Sequence, residues 1–333
     1  MMDWTDRHCR YFLRGFSPLP LLYTEMIHAA ALCRGDARRL LACDPEEHPL
    51  ALQLGGSGPR ELALAARLGE QAGYDEINLN CGCPSERVAS GSFGACLMLD
   101  PGRVAECVAA MRAAVSIPVT VKMRIGVLSA TGAGWRAALA GFDERDFEAL
   151  GAFLARIRLA GCAVAIVHAR KAVLGGLSPK DNRQVPPLRY DVVRRLRPLC
   201  PDLPLVVNGG LRDTAGVLEA LTWCDGVMLG REAYHRPAVL AELHRALAPH
   251  GAASPTRQAL LERMAGYAER QLSAGVPLQA ITRHMLGLYA GEPGAKAFRR
   301  ALSEGARRPG AAPELIRRAG AEAEALGEAS AAA

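Results

Sequence analysis

The chain predicts an α/β fold, a TIM-type (β/α)8 barrel followed by a small all-helical domain, and three observations carry that expectation. Short apolar strand-like runs alternate with helical patterns from the start to about residue 248, the pattern of βα units around a parallel sheet. After that point strand-like runs cease and helical patterns separated by Gly and Pro take over. Polar residues stand at the end of one strand after another, the rim where such barrels gather their function.

The strands read in order as Leu21 to Met26, Leu50 to Leu54, Glu76 to Asn80, Val119 to Met123, Val164 to His168, Leu205 to Asn208 and Gly226 to Leu229. Seven repeats fit an eightfold barrel with its first strand missing better than they fit an open sheet. Helices between them have legible starts: Pro59 after Gly58, Pro101 after Asp100, and Asp213 before Thr214. Beyond Gly251, the runs Gln258 to Leu272, Pro277 to Tyr289, Gly294 to Glu304 and Pro313 to Leu326 read as helices. The expected division is a barrel over 1–250, a helical domain over 251–310, and a low-complexity, partly helical tail over 311–333.

Composition narrows the class. Half of the 333 residues are apolar, enough for a large core, yet no run approaches the length of a membrane span and the start lacks a signal-peptide pattern. Ten scattered Cys point to reduced cytosolic thiols, and Cys81-x-Cys83 has no second pair to complete a metal site, so none is expected. The net charge is +6, and the stretch from Arg257 to Arg318 holds eleven Arg or Lys against five Asp or Glu. A basic helical module suits a polyanionic partner, unless it is an ordinary solvated surface. Of 40 basic residues only four are Lys, namely Lys122, Lys171, Lys180 and Lys296, which makes each worth explaining.

The stretch Ile77 to Ser85 is where an alternating run stops in Gly, Cys and Pro. Cys83 sits there on backbone that cannot continue a ladder, either free to face a ligand or packed as a small hydrophobe. Other strand ends carry Gln53, Asn80, Lys122 with Arg124, His168 with Arg170, Asn208-Gly209-Gly210 and Gly230-Arg231. The last two occupy the usual phosphate position of these barrels, with bare Gly amides and an Arg counter-charge. Gly132-x-Gly134-x-x-Ala137 matches a dinucleotide pattern by chance, since it lies well past its strand and lacks the acidic partner.

Asn80-x-Gly82-Cys83-Pro84-Ser85, then Gly91-x-x-Gly94-Ala95-Cys96-Leu97-Met98, resembles the tRNA-dihydrouridine synthases, most of all the bacterial branch that reduces U20 and U20a. The resemblance runs from Met1 to about Ser303. It implies flavin-dependent reduction of the uracil C5–C6 bond in the tRNA D-loop, with FMN bound and NADPH as reductant. Cys83 matches the proton donor to C5. Met1, Met2, Gln53, Lys122, His168, Asn208, Gly209, Gly210, Gly230 and Arg231 match flavin positions. Asn80 and Arg124 are expected at the uracil edge, and Lys180, Arg183, Arg299 and Arg300 on tRNA. Relatives carry an apolar strand ending in Ala-Pro-Met just before the equivalent of Met1-Met2-Asp3-Trp4, so either the start is placed too late or the barrel is incomplete. A misplaced start is favoured, since an open barrel exposes two strand edges.

An FMN barrel acting on a free, dihydroorotate-like pyrimidine and a non-catalytic RNA-binding protein are the alternatives. The basic helical module speaks against the first, and the intact Cys83, Lys122 and phosphate-site residues against the second. The protein is expected to be a cytoplasmic monomer.

Overall fold

The computed structural model describes residues 1–84, 93–130, 134–248 and 255–331. Ser85 and Gly91 of the Cys83 stretch, Gly132 and the expected boundary at 250/251 lie outside the described residues. The strands are β1 (Leu22–Tyr23), β2 (Ile27–His28), β3 (Leu50–Gly55), β4 (Glu76–Cys81), β5 (Val119–Arg124), β6 (Val127–Ser129), β7 (Ala165–His168), β8 (Ala172–Leu174), β9 (Leu205–Asn208) and β10 (Gly226–Met228). The main sheet runs β1-β3-β4-β5-β7-β9-β10, with β2 beside the far end of β3, and every pairing in it is parallel. Helices alternate with these strands, which is the TIM-type order expected.

Strand periodicity explains the two faces. On β3 and β4, Leu52 and Ile77 point toward the helix Pro59–Gln71, where a Cβ on Gly69 would lie 2.5 and 2.8 Å from their methyl carbons. The alternate residues Glu76, Asn78 and Asn80 therefore face the barrel interior, as do Gln53 and Thr120, their hydrogen-bonded neighbours. Among the described residues β1 and β10 are the two ends of the sheet. Met1 lies beside the end of β10, its Sδ 3.6 Å from the Cβ position of Gly230. Trp4 follows, stacked 4.5 Å from Tyr234.

The first expected strand, Leu21 to Met26, is interrupted between β1 and β2. There the Gln53 N–H donates to the Thr24 hydroxyl (2.9 Å) instead of to a ladder carbonyl. The starts at Gly58, Asp100 and Asp213 stand as read, and the carboxylates of Asp100 and Asp213 accept from Arg103 N and Gly216 N. A second, two-stranded parallel sheet, β6 with β8, was not legible.

The helical region comprises Arg257–Ser273, Leu278–Thr282, Ala295–Gly305 and Glu314–Ala331. The long helix expected over Pro277 to Tyr289 shortens to Leu278–Thr282 and continues as successive tight turns. Gly287 there passes so close to the His235 carbonyl that a Cβ would lie 2.4 Å from it. The segment read as a tail forms the helix Glu314–Ala331, which buries Leu315, Ile316, Ala319 and Ala323; Gly320 lets it approach Leu261. Among the described residues no helix is long and apolar enough to cross a membrane.

The helical region meets the barrel through the helix Arg7–Arg14. Tyr11 stacks on Tyr267 at 4.0 Å, His8 Nδ1 lies 2.7 Å from the Tyr267 hydroxyl, and Arg283 pairs with Asp6 at 2.6 Å. The same helix is tied to the barrel by a buried Arg10–Glu47 pair at 2.6 Å, and burial raises the Glu47 carboxyl while Arg10 opposes it.

Candidate active site

The C-terminal ends of β3, β4, β5, β7 and β9 form one rim, and strand register sets the neighbours on it. Asn80 is paired with Lys122, Arg124 with His168, and His168 with Asn208. Asn80 shapes the turn that carries the thiol: its Oδ1 accepts from Gly82 N and Cys83 N, both at 3.0 Å, while its Nδ2 donates to Gln53 Oε1 at 2.8 Å. This local side-chain capping turns the chain out of β4 at the position read as the strand's end. The Cys83 carbonyl accepts from Ala95 N at 2.9 Å, which joins the turn to the second half of the motif. Cys83 is half-buried, whereas Cys81 is fully buried and its thiol is raised well above the ordinary range by burial, leaving it inert.

Three cations act on Cys83 electrostatically: Lys122, Arg124 and Arg183. Burial, reinforced by the Arg124 charge, lowers Lys122 to about 8, and Cys83 opposes the shift. Among the described residues no carboxylate pairs with Lys122. Arg124 is 3% exposed and braces the turn from beneath, with Nε donating to Gly82 O at 3.1 Å and Nη1 to Asn182 O at 3.0 Å. Its guanidinium, expected at the substrate edge, is thus largely engaged with backbone carbonyls; burial lowers it to about 9. Burial first, then the charges of Arg124, Lys122, Arg170 and Arg231, holds the His168 imidazole well below its ordinary range, so it stands neutral.

The next part of the rim is built for an anion. Gly209 and Gly210 have φ of 109° and 77°, a region that strains other residues, and a Cβ on Gly209 would lie 2.4 Å from His168 Cδ2. Asn208 Nδ2 donates to Met228 O at 2.7 Å, so that side chain ties β9 to β10. The Tyr190 hydroxyl donates to Gly209 O. Around this turn burial lowers Arg170, and the charges of Arg231 and Arg212 act on it in the same direction. Arg170 Nη1 donates to Pro186 O, while its buried Nε has no partner among the described residues. Repelling guanidiniums, one with an orphaned donor, await negative charge.

The chain matches the family model described as "Dihydrouridine synthase (Dus)" over residues 1–324. The chain belongs to the dihydrouridine synthase family. Curated relatives named tRNA-dihydrouridine(20/20a) synthase are similar along most of its length. The one from Xanthomonas campestris pv. campestris is 52% identical over 319 residues, 96% of this chain and 90% of the relative. Those from Pseudomonas putida (50%, 91% of this chain, 86% of the relative) and Vibrio cholerae (48%, 96% and 93%) agree.

Within this family member the expected residues fall into four groups. Gln53, Asn80, Cys83, Lys122, His168, Asn208, Gly209 and Gly210 share the rim, and Arg231 joins them by donating to Arg183 O at 3.4 Å. Gly230 lies against Met1, whereas Met2 is 56% exposed. Lys180 and Arg183 flank a short turn on the loop after β8, beside the rim. Arg299 and Arg300 lie apart, exposed on the helix Ala295–Gly305. Lys171, also singled out by its type, is a brace: it is 5% exposed and pairs with Asp146 at 2.7 Å. Arg212 and Tyr190 were missed, since neither stands at a strand end. Glu76, Asn78 and Thr120 were missed too, although polar residues at alternate positions of apolar strands were the available signal.

Proposed function

We propose that this chain reduces a uridine of the tRNA D-loop, at position 20 or 20a, to 5,6-dihydrouridine, with FMN bound and NADPH as reductant. The observation that carries this reading is the convergence, on one barrel rim of a dihydrouridine synthase family member, of a thiol, an uncompensated lysine and a cation-rich Gly-Gly turn. The fit to a flavin mononucleotide rests on the orphaned Arg170 Nε, the left-handed Gly209 and Gly210, and the cations of Arg170, Arg212 and Arg231 for its phosphate. Gln53 and Lys122 suit the polar edge of its ring, and His168 and Asn208 line the space between. When bound and reduced by NADPH, the flavin supplies the hydride that adds to uracil C6.

The rest is done by the chain's own residues. Cys83 gives its thiol proton to C5, and the charges of Lys122, Arg124 and Arg183 stabilise the negative charge left on sulfur. Asn80 holds the Cys83 turn and Arg124 braces it from below, so the thiol keeps its place while a uridine, turned out of its stack, occupies the mouth. Lys180 and Arg183 flank the entrance. Arg299, Arg300 and Lys296 form an exposed row with no ion pair among the described residues, unlike Arg257, Arg263, Arg283 and Arg317. Free cations of this kind suit backbone phosphates. No disulfide joins the ten cysteines among the described residues, which suits a reducing, cytoplasmic setting.

The test is incubation of the purified protein with FMN, NADPH and an unmodified tRNA, followed by nucleoside mass spectrometry and mapping. Dihydrouridine at position 20 or 20a supports the reading; reduction of a free pyrimidine with tRNA untouched contradicts it.

A further inference from the structure

The interior of a TIM-type barrel is ordinarily filled with branched apolar side chains. Here β3, β4 and β5 line it instead with a continuous file of polar groups, all 0 to 8% exposed. Glu76 Oε1 accepts from the Thr120 hydroxyl at 2.6 Å, and Thr120 Oγ1 accepts from Asn78 Nδ2 at 2.8 Å. Asn78 Oδ1 accepts from Gln53 Nε2 at 2.9 Å, and Gln53 Oε1 accepts from Asn80 Nδ2 at 2.8 Å. Asn80 Oδ1 then accepts from the N–H groups of Gly82 and Cys83.

The direction of this file is fixed from both ends. At the floor Glu76 Oε1 accepts from two hydroxyls, Thr120 and Tyr23, which oppose the upward pull of burial on its carboxyl; at the mouth backbone amides can only donate. Each group between uses one donor and one acceptor, so turning over the Gln53 or the Asn80 amide sets donor against donor at one end and acceptor against acceptor at the other. Buried groups left in that state are expensive, which makes the orientation of every member depend on the others.

We propose that Glu76 and Thr120, at the floor of the barrel, are positioning residues for the reaction: through Asn78 they set the orientation of the Gln53 and Asn80 amides and so hold the turn that carries Cys83. The inference rests on the functional reading above, in which Gln53 and Cys83 face cofactor and substrate. The hydrogen bonds that connect Glu76 and Thr120 to Asn80 run along the file.

Three variants separate positioning from mere stability. Tyr23 is a second donor to Glu76, at 2.8 Å, and its hydroxyl also bonds the Thr120 side chain, but no link from Glu76 to Asn80 runs through it. Tyr23→Phe and Thr120→Val each leave Glu76 one donor short, so both lower the melting midpoint of the holoenzyme. Only Thr120→Val breaks the file. It is expected to slow single-turnover tRNA reduction by about tenfold to a hundredfold, the scale on which a displaced reacting group is felt. It also changes the rate at which iodoacetamide alkylates Cys83, read by peptide mass spectrometry. Thr120→Ser restores both, and Thr120→Ala, with no second methyl to crowd the site, serves if the valine variant does not fold. Wild-type turnover and Cys83 alkylation in Thr120→Val overturn the proposal, as does an equal loss in Tyr23→Phe. The alkylation arm needs no catalysis, so it stands even if Cys83→Ala proves fully active and the functional reading fails.

Discussion

Lys122 and Lys171 are two of only four lysines, and they show how differently one residue type is used. Lys171 is neutralised by Asp146 under the loop after β7, while Lys122 keeps an uncompensated ammonium beside Cys83. With its native pKa of about 8 below the ordinary 10.5, the folded protein bears the full cost of that charge wherever both states are protonated, below about 8. As pH rises toward 10.5 the native amine loses its proton while the unfolded one keeps it, and the cost is relieved. Lys122→Met should therefore melt later than wild type in the flavin-free protein at neutral pH, and the gap should close between pH 8 and 10.5. Melting curves of both proteins across that range check it, and a gap independent of pH counts against a strained Lys122. That Lys122 stands at a rim was legible from its place at the end of an apolar run. That Arg124, two residues on, is spent on carbonyls of Gly82 and Asn182 was not, because those partners lie 42 and 58 residues away in sequence.

At the scale of elements, six of the seven strands were legible because each is a short, mostly apolar run between turn signals, and β3, β4 and β7 are buried on both faces. The interrupted β1–β2 edge and the β6–β8 pair were not, since one depends on the Thr24 hydroxyl replacing a ladder bond and the other on three residues of weak pattern. The Gly209 turn was legible as Asn-Gly-Gly, though not its contact with His168. Gly209→Ala forces a side chain onto a φ of 109° and against that ring. It is expected to destabilise the protein by about 1–3 kcal/mol and to weaken FMN retention, measured by denaturant unfolding and by flavin titration. On the helix Ala295–Gly305, Arg299→Ala with Arg300→Ala should weaken tRNA binding and flatten its salt dependence by about one unit of slope per lost phosphate contact. Lys180→Ala with Arg183→Ala should do the same, with flavin reduction by NADPH unchanged in both pairs. Filter binding over a salt series reads the slope.

The whole molecule is held together where its first helix is clamped between barrel and helical region. Composition indicated a basic C-terminal module, but only the folded chain separates its cations into those that bind it to the barrel, such as Arg263 and Arg283, and those left for a partner. Glu47 is the barrel-side anchor, with its side chain fully buried against Arg10. Glu47→Ala leaves that guanidinium buried without its charge partner and is expected to cost about 3–5 kcal/mol. Because Tyr11, on the same helix, stacks on Tyr267, both regions should lose stability in one transition by circular dichroism and by tyrosine absorbance alike.

The central claim is that Cys83 is the proton donor, and the cleanest measurement sets single-turnover reduction of tRNA beside thermal melting for Cys83→Ala and Cys81→Ala. The two thiols are two residues apart, one half-buried at the mouth among cations and one fully enclosed. Cys83→Ala is expected to melt with wild type and bind flavin and tRNA normally, yet to reduce uridine roughly a hundredfold or more slowly, the scale for loss of a positioned acid. Cys81→Ala should keep the rate. A Cys83→Ala protein that melts early while reducing tRNA at the wild-type rate contradicts the account.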